Sequence, residues 1–176
     1  MRLASVTETG FPPGSVIGHE VVKAAYFRDS YRAPLRRRDL DMVTIYAAMF
    51  GHLPLPVKLV LIARNAVARL CGLETSSAGE ILDPRIGGAY AVGDKIGPWP
   101  IFAITADEIV AGRDNSHMDF RLSVLRTHDD TGSSVTVSTV CTVHNLYGRL
   151  YMSVIEPFHR AGVKALMTRA LGAGRL

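Results

Sequence analysis

HMDFRLSVLRTHDDTGSSVTVSTVCTVH, running from His117 to His144, decides the architecture. Met118, Phe120, Leu122 and Val124 alternate with His117, Asp119, Arg121 and Ser123. After the turn, Val135, Val137, Thr139, Cys141 and Val143 alternate with Thr136, Ser138, Val140, Thr142 and His144. A period of two marks β-strands, because successive side chains point to opposite faces. His128-Asp129-Asp130-Thr131-Gly132 between the runs has turn composition. The stretch predicts a long antiparallel hairpin with one apolar and one largely polar face, in a sheet covered on one side only.

Working outward, Ile101–Thr105 and Glu108–Gly112 read as a second hairpin around Ala106-Asp107. Leu150–Ile155 reads as a further strand, and Glu156-Pro157 switches the chain to a C-terminal helix. Val163, Leu166, Met167, Ala170 and Leu171 give that helix its apolar stripe. Upstream, Leu73–Pro100 is rich in Gly and Pro and reads as a long loop, with a short strand near Ala89–Val92. Pro56 opens a helix whose apolar face is Leu59, Ile62, Ala63, Ala66, Val67 and Leu70, stopped by Gly72. An earlier helix runs from Leu40 to Phe50, capped by Asp39, with Val43, Ala47 and Phe50 on one side and Gly51 at its end. Val21–Leu35 suits an extended segment, and residues 1–20 form an irregular arm before a single domain over 21–176. The fold class is α+β: an antiparallel sheet packed on a long C-terminal helix, with two helices inserted after the first strand.

The 176-residue chain, 48% hydrophobic and 20% charged, has ordinary globular composition, which excludes disorder. Its longest apolar run, Val57–Ala63, is interrupted by Lys58 and falls short of the roughly 20 residues of an integral membrane segment. The net charge of +4 includes Arg36-Arg37-Arg38 but comes with no nucleic-acid-binding motif, so no nucleic-acid partner is expected. Cys71 and Cys141 read as small buried residues, and with no export signal visible a reducing cytoplasm is the expected location.

Three stretches carry a family likeness: Leu61-Ile62-Ala63-Arg64-Asn65, Gly112 to Arg121, and Asn145 to Tyr151 continuing to Pro157-Phe158-His159-Arg160. On these residues the chain resembles a bacterial family catalogued as domain of unknown function 2867, over about Asp29–Leu171. The last stretch also looks like the end of a module fused behind nucleotide-binding domains in some short-chain-dehydrogenase-like proteins, although no GxGxxG is present here. The order of elements resembles the helix-grip arrangement of the START and polyketide-cyclase-like superfamily. That resemblance implies a curved sheet around the last helix and a cavity between them for an apolar small molecule.

His117, Asp119 and Arg121 share one strand face and could act as base, orienter and anion holder. The competing reading is an outward polar face with Asp119 and Arg121 in salt bridges. His144 joins them if its strand pairs with theirs, and His159 sits in the first turn of the final helix. Asp114, His117 and Asp119 could offer metal donors, but HExxH is absent and neither metal nor cofactor is expected. Arg64 needs a partner if it turns inward, and Trp99, between two prolines, reads as a packing anchor or pocket rim. Phe102, Phe120, Leu122, Val137, Phe158, Val163 and Met167 are the apolar residues expected to face a cavity.

The leading expectation is binding of an apolar or amphipathic small molecule between the sheet and the C-terminal helix. The alternatives are a cyclase, isomerase or hydrolase using His117 and Asp119, and a module that self-associates, as a homodimer, through its polar sheet face.

Overall fold

The deciding hairpin forms as its alternation requires. The computed structural model describes residues 5–70, 75–84, 86–130 and 132–176. Its elements are β1 (Thr7–Glu8), α1 (His19–Ala24), β2 (Phe27–Pro34), α2 (Met42–Phe50), α3 (Leu55–Leu70), α4 (Ala78–Leu82), β3 (Lys95–Ile96), β4 (Trp99–Ile104), β5 (Glu108–Arg113), β6 (Met118–Asp129), β7 (Gly132–Val143) and α5 (Leu146–Gly172). The strands form one open, curved antiparallel sheet in the order β1-β2-β7-β6-β5-β4-β3. β2 therefore pairs with the last strand, Tyr31 opposite Val137, while Val137 faces Val124 of β6 on its other side.

Parity then assigns the inner face. Tyr31, Ile109, Leu122, Val124, Val135 and Val137 join Ile45, Tyr46 and Met49 of α2 and Val163, Met167, Ala170 and Leu171 of α5 in the main core. A second inner cluster, Phe27, Met118, Cys141 and Met152, lies under the first half of α5.

Several expectations are corrected. The segment 150–155 is helix, because α5 starts at an Asn145 N-cap whose side chain accepts from Gly148 N. Pro157 consequently lies inside α5 rather than at its start, and His159 is well beyond the first turn. α2 is capped by Asp41, not Asp39, and buries Met42, Ile45, Tyr46, Ala48 and Met49 instead of the Val43–Ala47–Phe50 side. The short strand of the 73–100 region is Lys95–Ile96, not Ala89–Val92. Val21–Leu35 begins as helix α1 and becomes strand only at Phe27. Gly72 and Cys71 lie outside the described residues.

The polar sheet face is not open to water at its centre. Glu108, Ser123, Ser138, Ser30 and Thr136 are all buried. The N-terminal arm closes over Glu108 and its neighbours: Ser15 Oγ and Val16 N donate to Glu108 at 2.6 and 2.7 Å, and Ile17 and Val22 pack on Val110 and Val140. Far from being irregular throughout, this arm also adds β1 to the sheet edge.

Candidate functional site

Asp119 and Arg121 lie on the outer face of β6, as parity requires, but they border a cavity. Its volume is about 350 Å³, with walls from Val16, Ile17, Gly18 and Val21 of the arm and α1, and from Phe102, Ala103, Val110, Val140 and Thr142 of the sheet. The sheet supplies a flat apolar floor at Val110 and Val140, and the arm a roof.

The polar end is well ordered. Asp119 Oδ2 lies 2.9 Å from His144 Nε2, and Asp119 Oδ1 accepts from Asn115 N at 3.1 Å. One oxygen is thus held by backbone and the other by an imidazole. Arg121 donates to Asp114 at 2.6 Å, and its guanidinium sits 3.5 Å from the Phe102 ring centroid. Phe102 is therefore an outer-face residue, not part of the inner core, and it also borders a second cavity of about 620 Å³ with Asp114, Arg113, Arg69, Glu80 and Lys95. Arg121 lines the first cavity and its partner Asp114 the second.

His117 does not share the strand face of Asp119 and Arg121. It precedes β6, and its buried ring stacks edge-on against Tyr147 and Tyr151 of α5, centroids 5.3 and 5.8 Å away. A Cβ at Gly148 would collide with His117 O, so glycine is what lets α5 start against this residue. Burial, then the charges of Arg64 and His144, push the His117 pKa down, against a smaller upward pull from Asp119. Arg64 reaches the same end of the sheet: it donates to the Tyr151 hydroxyl and to Asn65 Oδ1 at 2.8 Å.

The remaining candidates divide. Leu122, Val137, Val163 and Met167 are at most 7% exposed and fill the main core, so the space between sheet and α5 at these positions is packed. Phe120 packs on the second inner cluster, and Trp99 links it to Phe50 in an edge-to-face row, with centroids 5.8 and 6.2 Å apart. Trp99 is half-buried and packs against the main core. Phe158 does not face inward; it is 73% exposed.

His159 has a partner that sequence reasoning missed. Asp29, with a fully buried side chain, places Oδ2 3.4 Å from His159 Nε2, which also lies 3.0 Å from Thr139 Oγ1. Neither carboxylate oxygen accepts a hydrogen bond among the described residues. The signal was present in Phe27-Arg28-Asp29-Ser30-Tyr31: an acid at the inward parity of a strand. Among the described residues no group of three or more His, Cys, Asp or Glu is placed to hold a metal ion.

Residues 21–166 match the family described as "Protein of unknown function (DUF2867)". No curated protein and no solved structure matches the chain.

Proposed function

The chain belongs to the DUF2867 family, whose description assigns no activity, and we propose that it binds a small amphipathic molecule in the outer-face cavity. The observation that carries this reading is the composition of that cavity: about 350 Å³, with a mostly apolar lining and the charged side chains Asp119 and Arg121 among it. Small-ligand sites have this make-up, with volumes of roughly 300–1,000 Å³ and a few convergent polar groups. The apolar body of the ligand lies against Ile17, Val110 and Val140, and its polar head meets Arg121 and the Asp119–His144 pair. The sequence had suggested the interval between sheet and α5; the packed side chains there favour the outer face instead.

Native mass spectrometry and solvent extraction of the purified protein test this. A co-purifying amphiphile, or a thermal shift with medium- and long-chain carboxylates, is the expected result. Thr142→Trp, at an exposed position on the cavity wall, fills the space and abolishes either signal. Absence of both signals in the unaltered protein sinks the proposal.

The Asp119–His144 contact supports a second reading, an enzyme of cyclase, isomerase or hydrolase type. A carboxylate fixed by backbone orients an imidazole, leaving the other ring nitrogen to accept a proton. In a screen of ester and carbonyl substrates, turnover that survives His144→Gln counts against it.

The relationship to the START and polyketide-cyclase-like superfamily belongs with this proposal. Its support is topological: β2 pairs with β7, two helices follow β2, and α5 crosses the inner face.

A further inference from the structure

α3 is built inside out. The side facing the protein carries Lys58, Ile62 and Asn65, with Lys58 donating to Leu82 O and Asn65 to Ser76 O. Leu55, Val57, Leu59, Val60 and Leu61 are 60, 39, 54, 67 and 36% exposed. Burial of apolar residues is what normally holds a helix on a protein, and here these five lie on the sides turned away from it. The chain bends by 87° between α2 and α3, so α2 enters the core while α3 leaves it.

The first half of α5 repeats the pattern. Leu146, Leu150, Val154 and Phe158, spaced four apart, are 80, 64, 56 and 73% exposed, and Tyr147 beside them is 42% exposed. In the second half of the same helix the outward arc reads Lys164 and Thr168, both exposed, as an ordinary surface helix does. Arg64 joins α3 to the flank of α5 that carries Tyr147, Tyr151 and Phe158. Two apolar arcs thus adjoin, far more than scattered surface residues would explain.

Charge selects what covers them. α3 carries Lys58, Arg64 and Arg69 and no acidic residue. The exposed half of α5 adds Arg149, and its one acid, Glu156, is already bound by Arg160 at 3.0 Å. A second copy would bring the same cations into a two-fold contact, whereas an anionic lipid surface supplies their complement. We propose that α3 and the first half of α5 dock the protein on an anionic membrane, α3 lying in the plane of the interface. At 16 residues α3 is about 24 Å long, short of the roughly 30 Å hydrocarbon core, and among the described residues no single helix is long and apolar enough to cross a membrane. Apolar side chains enter the acyl boundary while Arg64, Arg69 and Arg149 meet the headgroups. This surface is independent of the outer-face cavity.

Co-sedimentation of the full chain with phosphatidylcholine vesicles, with and without about one-third phosphatidylserine, tests the proposal. Binding to the anionic vesicles that weakens with salt is expected. Removing Arg69 and Arg149 together reduces the partition coefficient about 25-fold, at about fivefold per cation. Val60→Asp with Phe158→Asp abolishes binding and leaves the far-UV spectrum unchanged, since both side chains are exposed in the fold. No vesicle binding overturns the proposal, and so does equal binding to neutral vesicles. Sedimentation equilibrium runs alongside: a dimer dispersed by the same Asp pair, without vesicle binding, assigns the surface to a second copy and likewise overturns it.

Discussion

Ile109 and Val110 are neighbours on β5, both buried, on opposite faces of one sheet. Ile109 belongs to a core of more than twenty apolar residues drawn from α2, α5 and the strands. Val110 belongs to a cluster of four, bordered by buried serines and by Glu108. The inner face is held by area removed from water. The outer face is held by satisfied polar groups: Ser30 to Ser138 at 2.8 Å, and Ser123, Ser15 and Val16 N to Glu108. Hydrogen bonds constrain direction more than volume, and the 350 Å³ cavity lies on the outer face beside those contacts.

If that division is right, truncation inside should cost most. Met167→Ala, at a side chain 1% exposed, is expected to lower stability by about 2–5 kcal/mol in urea unfolding, by lost transfer energy plus residual cavity. A cost no larger than at an exposed position such as Lys164 would mean the inner face is loosely packed, and would return a cavity there to consideration.

Glu108→Ala probes the other face. It strands three donors, at about 1–3 kcal/mol for each one that water cannot reach, and it frees the arm. Limited proteolysis is expected to cut within residues 9–18 while amide exchange in β6 and β7 stays slow. An arm that remains protected would show that the apolar contacts of Ile17 and Val22 suffice, which would erase the contrast between the faces.

The faces meet at His117, where the sheet end runs under α5. Its pKa is depressed from the ordinary 6.5 in the fold, chiefly by burial, so the unfolded chain binds the proton more tightly. The stabilisation is fully present above about 6.5 and is lost as pH falls from there toward the folded value, at no more than about 1.4 kcal/mol per pH unit. Melting temperatures between about pH 7.5 and pH 5.5 should therefore fall more steeply in the parent protein than in His117→Phe, which keeps the ring between the two tyrosines. Identical slopes would show that the depression is absent. Arg64→Gln should give an intermediate slope, because its charge contributes to the shift.

How much of this was legible follows from which signals are local. The period of two in 118–143 is local, and every inward residue of β6 and β7 through Val124 and Val135 was placed by it. Leu150–Ile155 misled because Leu, Tyr, Val and Ile suit a strand, while the features that begin the helix, Asn145 and Gly148, lie upstream. Pro157 has the composition of a helix start, yet α5 tolerates it inside at the loss of one bond, to the carbonyl of Ser153. For the site, parity put Asp119 and Arg121 on the outer face but could not show that the arm roofs it, since that depends on contacts more than ninety residues apart. Nor does parity say whether facing side chains fill a space, which is why Val137 and Met167 read as cavity walls and are core. His117 was lost to a break in the strand that alternation conceals.

The smallest expected effect concerns how α2 is attached to the inner face. Asp39 and Asp41 stand two residues apart, and either composition suits a cap. Asp41 Oδ1 accepts from Thr44 N at 2.7 Å, whereas Asp39 is engaged by Arg37 at 3.2 Å in open solvent. That backbone hydrogen bond holds the Asp41 carboxyl below its usual range, so the cap's contribution is present above the ordinary carboxylate pKa and lost as pH drops through the folded one. Asp41→Ala should cost about 1 kcal/mol. Asp41→Asn should recover most of it, since the amide oxygen can accept the same bond, and Asp39→Ala should leave the unfolding midpoint where it was. Equal losses at 39 and 41 would place the helix start two residues earlier. The arc buried against the sheet would then rotate, and Ile45 and Met49 would lose the positions on which the inner face depends.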